Sequence, residues 1–319
     1  MNESTRGTGR RDMLQLTAGA AITAAEIWQL RDGRCARKEG GGASSGALVS
    51  FNAADPWVVP KTAGIVILDG GRVYWDWSAN AATYCKVNDR DFYMGRSVGD
   101  AASANTSLTV NFNIPEFSIY DYDIARVPFA TSIIGTQALG GLALNGRGAS
   151  QNFKLDATNE AQKIDILSRD GFATGACPII EAMFRVIADD SGIAAKFSFG
   201  IASGTHATAV TSITSRLMFQ LSAHDGNIYA LAGDGTHTVA PTDTTVDYAV
   251  GTRHEAWLDC RDSSNVKLYI DGVRVLSGTT FNISSSATTW YLLAHLVKTA
   301  ATDTAEIDVE RLLARLAQQ

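Results

Sequence analysis

Val266-Lys267-Leu268-Tyr269-Ile270-Asp271-Gly272-Val273-Arg274-Val275 is two alternating runs joined by Asp-Gly. Period two puts Val266, Leu268 and Ile270 on one face and Lys267 and Tyr269 on the other. Asp-Gly between such runs is a preferred two-residue hairpin turn, because both positions accept positive φ. The stretch therefore predicts a β-hairpin. The same texture recurs along the chain. Asp32-Gly33 closes the run Glu26-Ile27-Trp28-Gln29-Leu30, and Asp69-Gly70-Gly71 separates runs at 64–68 and 72–77. Further short runs stand at 47–51, 92–98, 107–112, 178–187, 217–222, 255–259, 290–296 and 305–316. No segment has a convincing amphipathic helical period, so the fold class is all-β.

Composition bounds the rest. The chain has 319 residues, about two domains at roughly 150 residues each. Hydrophobic residues make up 45% and charged residues 19%, an ordinary globular balance. A net charge of -6 argues against direct nucleic-acid binding, which needs a basic field. There is no run of about 20 apolar residues to span a membrane. Residues 1–113 carry 12 basic and 11 acidic groups, and residues 114–319 carry 15 and 22. The near-neutral front and acidic back suggest two domains in different surroundings. Cys35, Cys85, Cys177 and Cys260 lack metal-ligand spacing and read as small core residues; no cofactor is implied.

The N-terminus mimics an export signal, with Arg10-Arg11 ahead of a weakly apolar stretch. The alternation of Leu14-Gln15-Leu16-Thr17, the turn Ala18-Gly19-Ala20 and the run at 26–30 read better as strand, turn, strand. Residues 38–46 are a polar, glycine-rich loop. Residues 114–150 change texture: Phe117, Tyr120 and Tyr122 stand among acids, followed by a glycine-rich stretch. Three aromatics are too many for a free linker. The expected division is 1–113, a connector at 114–150, and a two-sheet jelly roll at 151–319.

One motif set is more specific. It comprises Pro56-Trp57-Val58-Val59-Pro60-Lys61, Gly64-Ile65-Val66-Ile67, Gly71-Arg72-Val73-Tyr74-Trp75-Asp76, Phe92-Tyr93-Met94-Gly95-Arg96-Ser97-Val98 and Thr109-Val110-Asn111-Phe112-Asn113. Together with Leu16 to Ala24 it resembles the capsid cement, or head decoration, family of tailed bacteriophages over roughly residues 14–113. The loop at 39–45 and Trp77 depart from the family pattern. The resemblance implies a small β-barrel or sandwich on the outer surface of a virion, often trimeric, that bridges subunits of the major capsid protein. Residues offered for capsid or oligomer contact are Arg6, Arg10, Arg11, Trp57, Phe117, Tyr120 and Tyr122. The second half resembles a concanavalin A-like (laminin-G-like) sandwich, on Arg253-His254-Glu255-Ala256-Trp257-Leu258, the hairpin above and Glu306-Ile307-Asp308-Val309-Glu310-Arg311. That resemblance implies a lectin-like module for bacterial or environmental glycans. Trp257 and Trp290 are either core residues or sugar-stacking platforms.

Glu306-x-Asp308-x-Glu310 also resembles the pattern of a retaining β-glucanase family. On a strand the three acids share one face. Retaining chemistry needs two carboxyls about 5–5.5 Å apart, whereas i and i+4 on a straight strand lie about 13 Å apart. In the glucanases the motif lies mid-domain, whereas only nine residues follow Glu310 here. The expected reading is a final strand with Ile307 and Val309 inward. Ser222-Ala223-His224-Asp225-Gly226 reads as a turn and not a triad. Asp189-Asp190-Ser191-Gly192 and Asp262-Ser263-Ser264-Asn265 read as acidic turns of the kind that sometimes bind Ca²⁺. The chain is thus expected to be a non-enzymatic structural virion protein; a free glycan-binding adhesin and a glucanase using Glu306 and Glu310 are the alternatives.

Overall fold

A computed structural model describes residues 13–54, 56–115, 121–123, 129–136, 142–145, 148–189, 195–222, 225–286 and 289–315. The described residues form strands and two short 3-10 turns, with no α-helix among them, as the alternation predicts. The chain divides into two compact units, residues 1–118 and 119–319.

The first unit contains β1 (Met13–Thr17), β2 (Ile27–Gln29), β3 (Cys35–Lys38), β4 (Leu48–Asn52), β5 (Pro56–Pro60), β6 (Arg72–Asp76), β7 (Ala81–Thr83), β8 (Phe92–Val98) and β9 (Ser107–Phe112). They make a four-stranded sheet, β1-β4-β3-β2, and a five-stranded sheet, β5-β9-β8-β6-β7. A parallel bridge between Lys61 and Ala82 brings the ends of the second sheet together, curling it into a small barrel. Val59, Val73, Trp75, Met94, Val110 and Phe112 fill that barrel's core, which also takes in Ile27 and Cys35 from the first sheet. Leu16, Ile22, Val49 and Phe51 form a smaller core under the four-stranded sheet. The stretch that mimics an export signal is therefore partly sheet and partly core. Gly95 is required where β8 crosses β9: its φ is +153°, and a Cβ there would lie 1.9 Å from the Asn111 carbonyl oxygen.

Two segments differ from the expected runs. Residues 64–68 form no strand; Ile67 makes one isolated bridge to Ala101. Pro56–Pro60, not among the expected runs, is a strand paired along β9.

The second unit contains β10 (Asp121–Asp123), β11 (Phe129–Ile134), β12 (Leu142–Asn145), β13 (Gly148–Leu155), β14 (Glu160–Ser168), β15 (Ile179–Asp189), β16 (Lys196–Ala202), β17 (Ser215–Ser222), β18 (Asn227–Asp234), β19 (Thr238–Asp247), β20 (Arg253–Asp259), β21 (Lys267–Ile270), β22 (Val273–Val275), β23 (Tyr291–Ala301) and β24 (Ala305–Arg315). One sheet runs β12-β13-β24-β15-β20-β21-β22, with β10 also on β24, and the other runs β11-β14-β23-β16-β17-β18-β19. The chain passes repeatedly between the sheets, at β13–β14, β14–β15, β15–β16, β19–β20, β22–β23 and β23–β24 among others, the jelly-roll sandwich expected. Phe153, Phe184, Phe197, Phe199, Phe219, Leu258, Trp290 and Leu312 belong to the core between the sheets. The stretch read as a connector supplies β10, β11, β12 and the start of β13 to these sheets. β11 shows no alternation because five of its six residues are exposed.

Candidate functional site

Alternation on the eight-stranded sheet sets the candidate site. Ile307 and Val309 of β24, Ile180, Ala182 and Phe184 of β15, and Ala256 and Leu258 of β20 face the core. The intervening residues face away; Met183 and Trp257 are apolar, and the rest are charged. Glu306 and Asp308 share this outer face with Asn152 and Lys154 of β13, Arg185 of β15 and Arg253 of β20. Glu310 does not follow the simple alternation. Met183 pairs with Arg311 and Phe184 with Val309, so Glu310 is the extra residue of a bulge.

Every acid of the Glu-x-Asp-x-Glu run is engaged by a cation. Lys154 Nζ lies 2.8 Å from Glu306. Arg185 donates to Asp308 at 2.9 Å, and Arg253 donates to Glu310 at 2.6 Å. Asn152 Nδ2 bridges Glu306 (3.1 Å) and Asp308 (2.9 Å). Further along the same face the ions go under cover. Arg311 reaches Glu255 at 3.1 Å and Glu181 at 3.5 Å, and Arg315 donates to Glu181 at 2.6 Å. Glu181, Glu255 and Arg311 are buried, whereas the Lys154 side chain is 51% exposed. Retaining hydrolysis calls for one carboxyl kept as an acid and a second kept as a nucleophile across one gap. What this face presents instead is a ladder of compensated charges, open at the β13 end and closed at the other.

The tryptophans offered for sugar stacking are both buried, Trp290 in the core and Trp257 on the outer face. Trp290 is 1% exposed and lies in the inter-sheet core. Trp257 is 5% exposed, donates its Nε1 to Glu255 at 2.9 Å and packs against Tyr269. Neither indole has a free ring face, so the stacking role is withdrawn. Asp225 accepts from the Asn227 amide and from the Tyr229 hydroxyl; Ala223 and His224 lie outside the described residues. Asp189 accepts from the Tyr248 hydroxyl at 2.6 Å, and Asp190, Ser191 and Gly192 lie outside the described residues. Asp262 caps its own turn through the Ser264 amide and hydroxyl, which lower its carboxyl pKa. Among the described residues no three His, Cys, Asp or Glu side chains converge as metal ligands. Cys35 and Cys260 are buried, which pushes their thiol pKa values up, while Cys85 and Cys177 are half-buried.

Of the residues offered for capsid or oligomer contact, Arg6, Arg10, Arg11, Phe117 and Tyr120 lie outside the described residues. Tyr122 stands on β10 opposite Ala314 of β24. Trp57 is half-buried; its Nε1 donates to the Ala54 carbonyl, and the Arg37 guanidinium lies 4.3 Å from its ring centre. On the opposite face of the same strands the barrel presents an exposed row that was not among the residues offered for contact. Val58 of β5, Thr109 of β9 and Val98 of β8 are cross-strand neighbours, with Val58 62% and Val98 48% exposed. The signal was available in Pro-Trp-Val-Val-Pro: once Val59 is inward, Val58 must be outward.

A family match decides what the first unit resembles. Residues 8–114 match the phage cement protein family. The match spans nearly all of the first unit and ends two residues past β9. Solved structures similar to the chain include the carbohydrate recognition domain of Emp47p, with TM-score 0.45 and 11% identity over 63% of this chain and 97% of that one. A glycoside hydrolase family 16 endo-glucanase from Bacteroides ovatus has TM-score 0.42 and 13% identity over 63% and 97%. The carbohydrate-binding module CBM66 from Bacillus subtilis has TM-score 0.35 and 12% identity over 56% and 92%. No curated protein matches the chain.

Proposed function

We propose that this chain is a capsid decoration protein of a tailed bacteriophage. Its cement unit binds the outer surface of the head, on the major capsid protein, as a homotrimer. Its sandwich is carried outward as a lectin-like module for bacterial or environmental glycans. The observation that carries this reading is the cement family match over residues 8–114. The physical role is additive: each contact between shell subunits raises the free energy needed to open the lattice against packed DNA.

The row Val58, Thr109 and Val98, on the outer face of the strands whose inner face carries Trp57, is the surface we assign to shell contact. Exposed apolar side chains in contact across neighbouring strands mark an interaction surface. Charge inserted there leaves the barrel core untouched. The double variant Val58→Glu, Val98→Glu is expected to stay folded and to lose at least ten-fold in co-sedimentation with shells lacking the protein. Undiminished binding would remove this surface from the proposal.

The compensated carboxylates favour the structural reading over the glucanase. The open end of the charged face, with Lys154, Asn152, Glu306 and Arg185 fixed by one another, is where a glycan hydroxyl would find held polar partners. A glycan array separates the decoration protein with a binding sandwich from one without. An adhesin with no capsid role would bind glycans and ignore shells.

A further inference from the structure

Lys298, on β23, is 1% exposed. Its side chain runs to the place where two turns meet. Residues 156–159 carry the chain from β13 in the eight-stranded sheet to β14 in the seven-stranded one. Residues 302–304 carry it back from β23 to β24. Lys298 Nζ donates to the main-chain carbonyls of Asp156, Thr158 (2.9 Å) and Asp303 (3.1 Å). An ammonium has three donors and no acceptor, so three carbonyls satisfy it in full. Oxygen donors of this kind are also what hard cations take.

The cradle is held by bonds of its own. The Asp156 amide donates to Gln162 Oε1 at 3.1 Å, and Gln162 Nε2 donates back to the Asp156 carboxylate at 2.5 Å. The Thr158 amide donates to the same carboxylate at 2.8 Å. These fix the two carbonyls of the first turn independently of the lysine.

We propose that this cradle is a cation-binding site whose resident cation is the chain's own Lys298 ammonium. It locks these two crossovers, β13–β14 and β23–β24, without drawing an ion from solution. Lys61 shows the same chemistry on one loop, donating to the Thr62 (2.9 Å) and Ile65 (2.7 Å) carbonyls, and Lys38 does so on another. Lys298 differs in joining two crossovers. The cradle's ligand class is a compact monovalent cation that can donate hydrogen bonds.

The test uses the full chain and Lys298→Ala, melted at equal ionic strength in sodium, potassium, methylammonium and tetramethylammonium chlorides. In sodium the variant is expected to melt about 5–10 °C lower. Methylammonium should return a substantial part of that loss, and tetramethylammonium, which has no N–H, should return none. The unmodified chain should not distinguish the four salts. An undiminished melting temperature, or equal behaviour of the variant in methylammonium and tetramethylammonium, overturns the proposal. A specific cation response already present in the unmodified chain does so as well. If Lys298→Ala fails to fold in sodium, refolding yield is read across the same salts, and equal yields in all four count against it.

Discussion

Asn113 shows how much one side chain can carry. It sits just past β9 with φ +59°, a left-handed conformation that asparagine tolerates better than most residues. Its Oδ1 accepts the Cys35 amide at 2.7 Å, and its Nδ2 donates to the Cys35 (2.9 Å) and Ala53 (2.6 Å) carbonyls. The carboxamide thus acts as a missing strand partner, joining the four-stranded sheet to the barrel. Asn113→Ala leaves three backbone groups without that partner and should cost about 2–4 kcal/mol in denaturant unfolding. Asn113→Asp should cost at least as much, because a carboxylate would face two carbonyls. Equal stability of all three chains would show that the staple contributes nothing. In the sequence this asparagine stands only at the end of a family pattern. Its partners lie 78 and 60 residues away, and spacing cannot reveal a contact that exists only after two sheets meet.

At the scale of the element, turns were legible and edges were not. Asp271-Gly272 joins Ile270 to Val273 with φ values of 50° and 75°, as the dipeptide predicts. β5 was hidden by its prolines. The Lys61 amide bonds to Thr106 on the β9 side, and the Thr62 amide bonds to Ala82 on the other. By alternation, residues 56, 58 and 60 turn their backbone towards that second side, where Pro56 and Pro60 have no N–H to give. The barrel seam therefore closes at one point and goes no further. The carboxylates of β24 were legible as a row, but their cations were not, since Lys154, Arg185 and Arg253 reach them only through strand register. The β18–β19 turn carries a titratable clasp. Burial raises the pKa of Asp234, but bonds from the His237 amide and ring and from the Thr236 and Ser285 amides outweigh it and hold it at about 2. A depressed folded pKa stabilises above the unfolded value, near 3.8, and that gain is lost as pH falls through about 2. The unmodified chain should exceed Asp234→Asn by about 2 kcal/mol at pH 6, and the two should converge near pH 2. A gap independent of pH would contradict the clasp.

For the whole molecule, the sequence divided the chain by charge and texture. The residues that misled it were those without alternation: β11, exposed along most of its length, and the glycine-rich stretch around β12. The motifs shared with the phage cement family were legible because they fall on β5, β6, β8 and β9 and include Gly95, which is needed where β8 crosses β9. The central claim is that the cement unit holds the chain on a phage head. Light scattering of the purified full chain, alone and after addition of empty shells lacking it, tests this most directly. The expected result is a trimer in solution that transfers to the shells. A monomer that leaves the shells unaltered would contradict it.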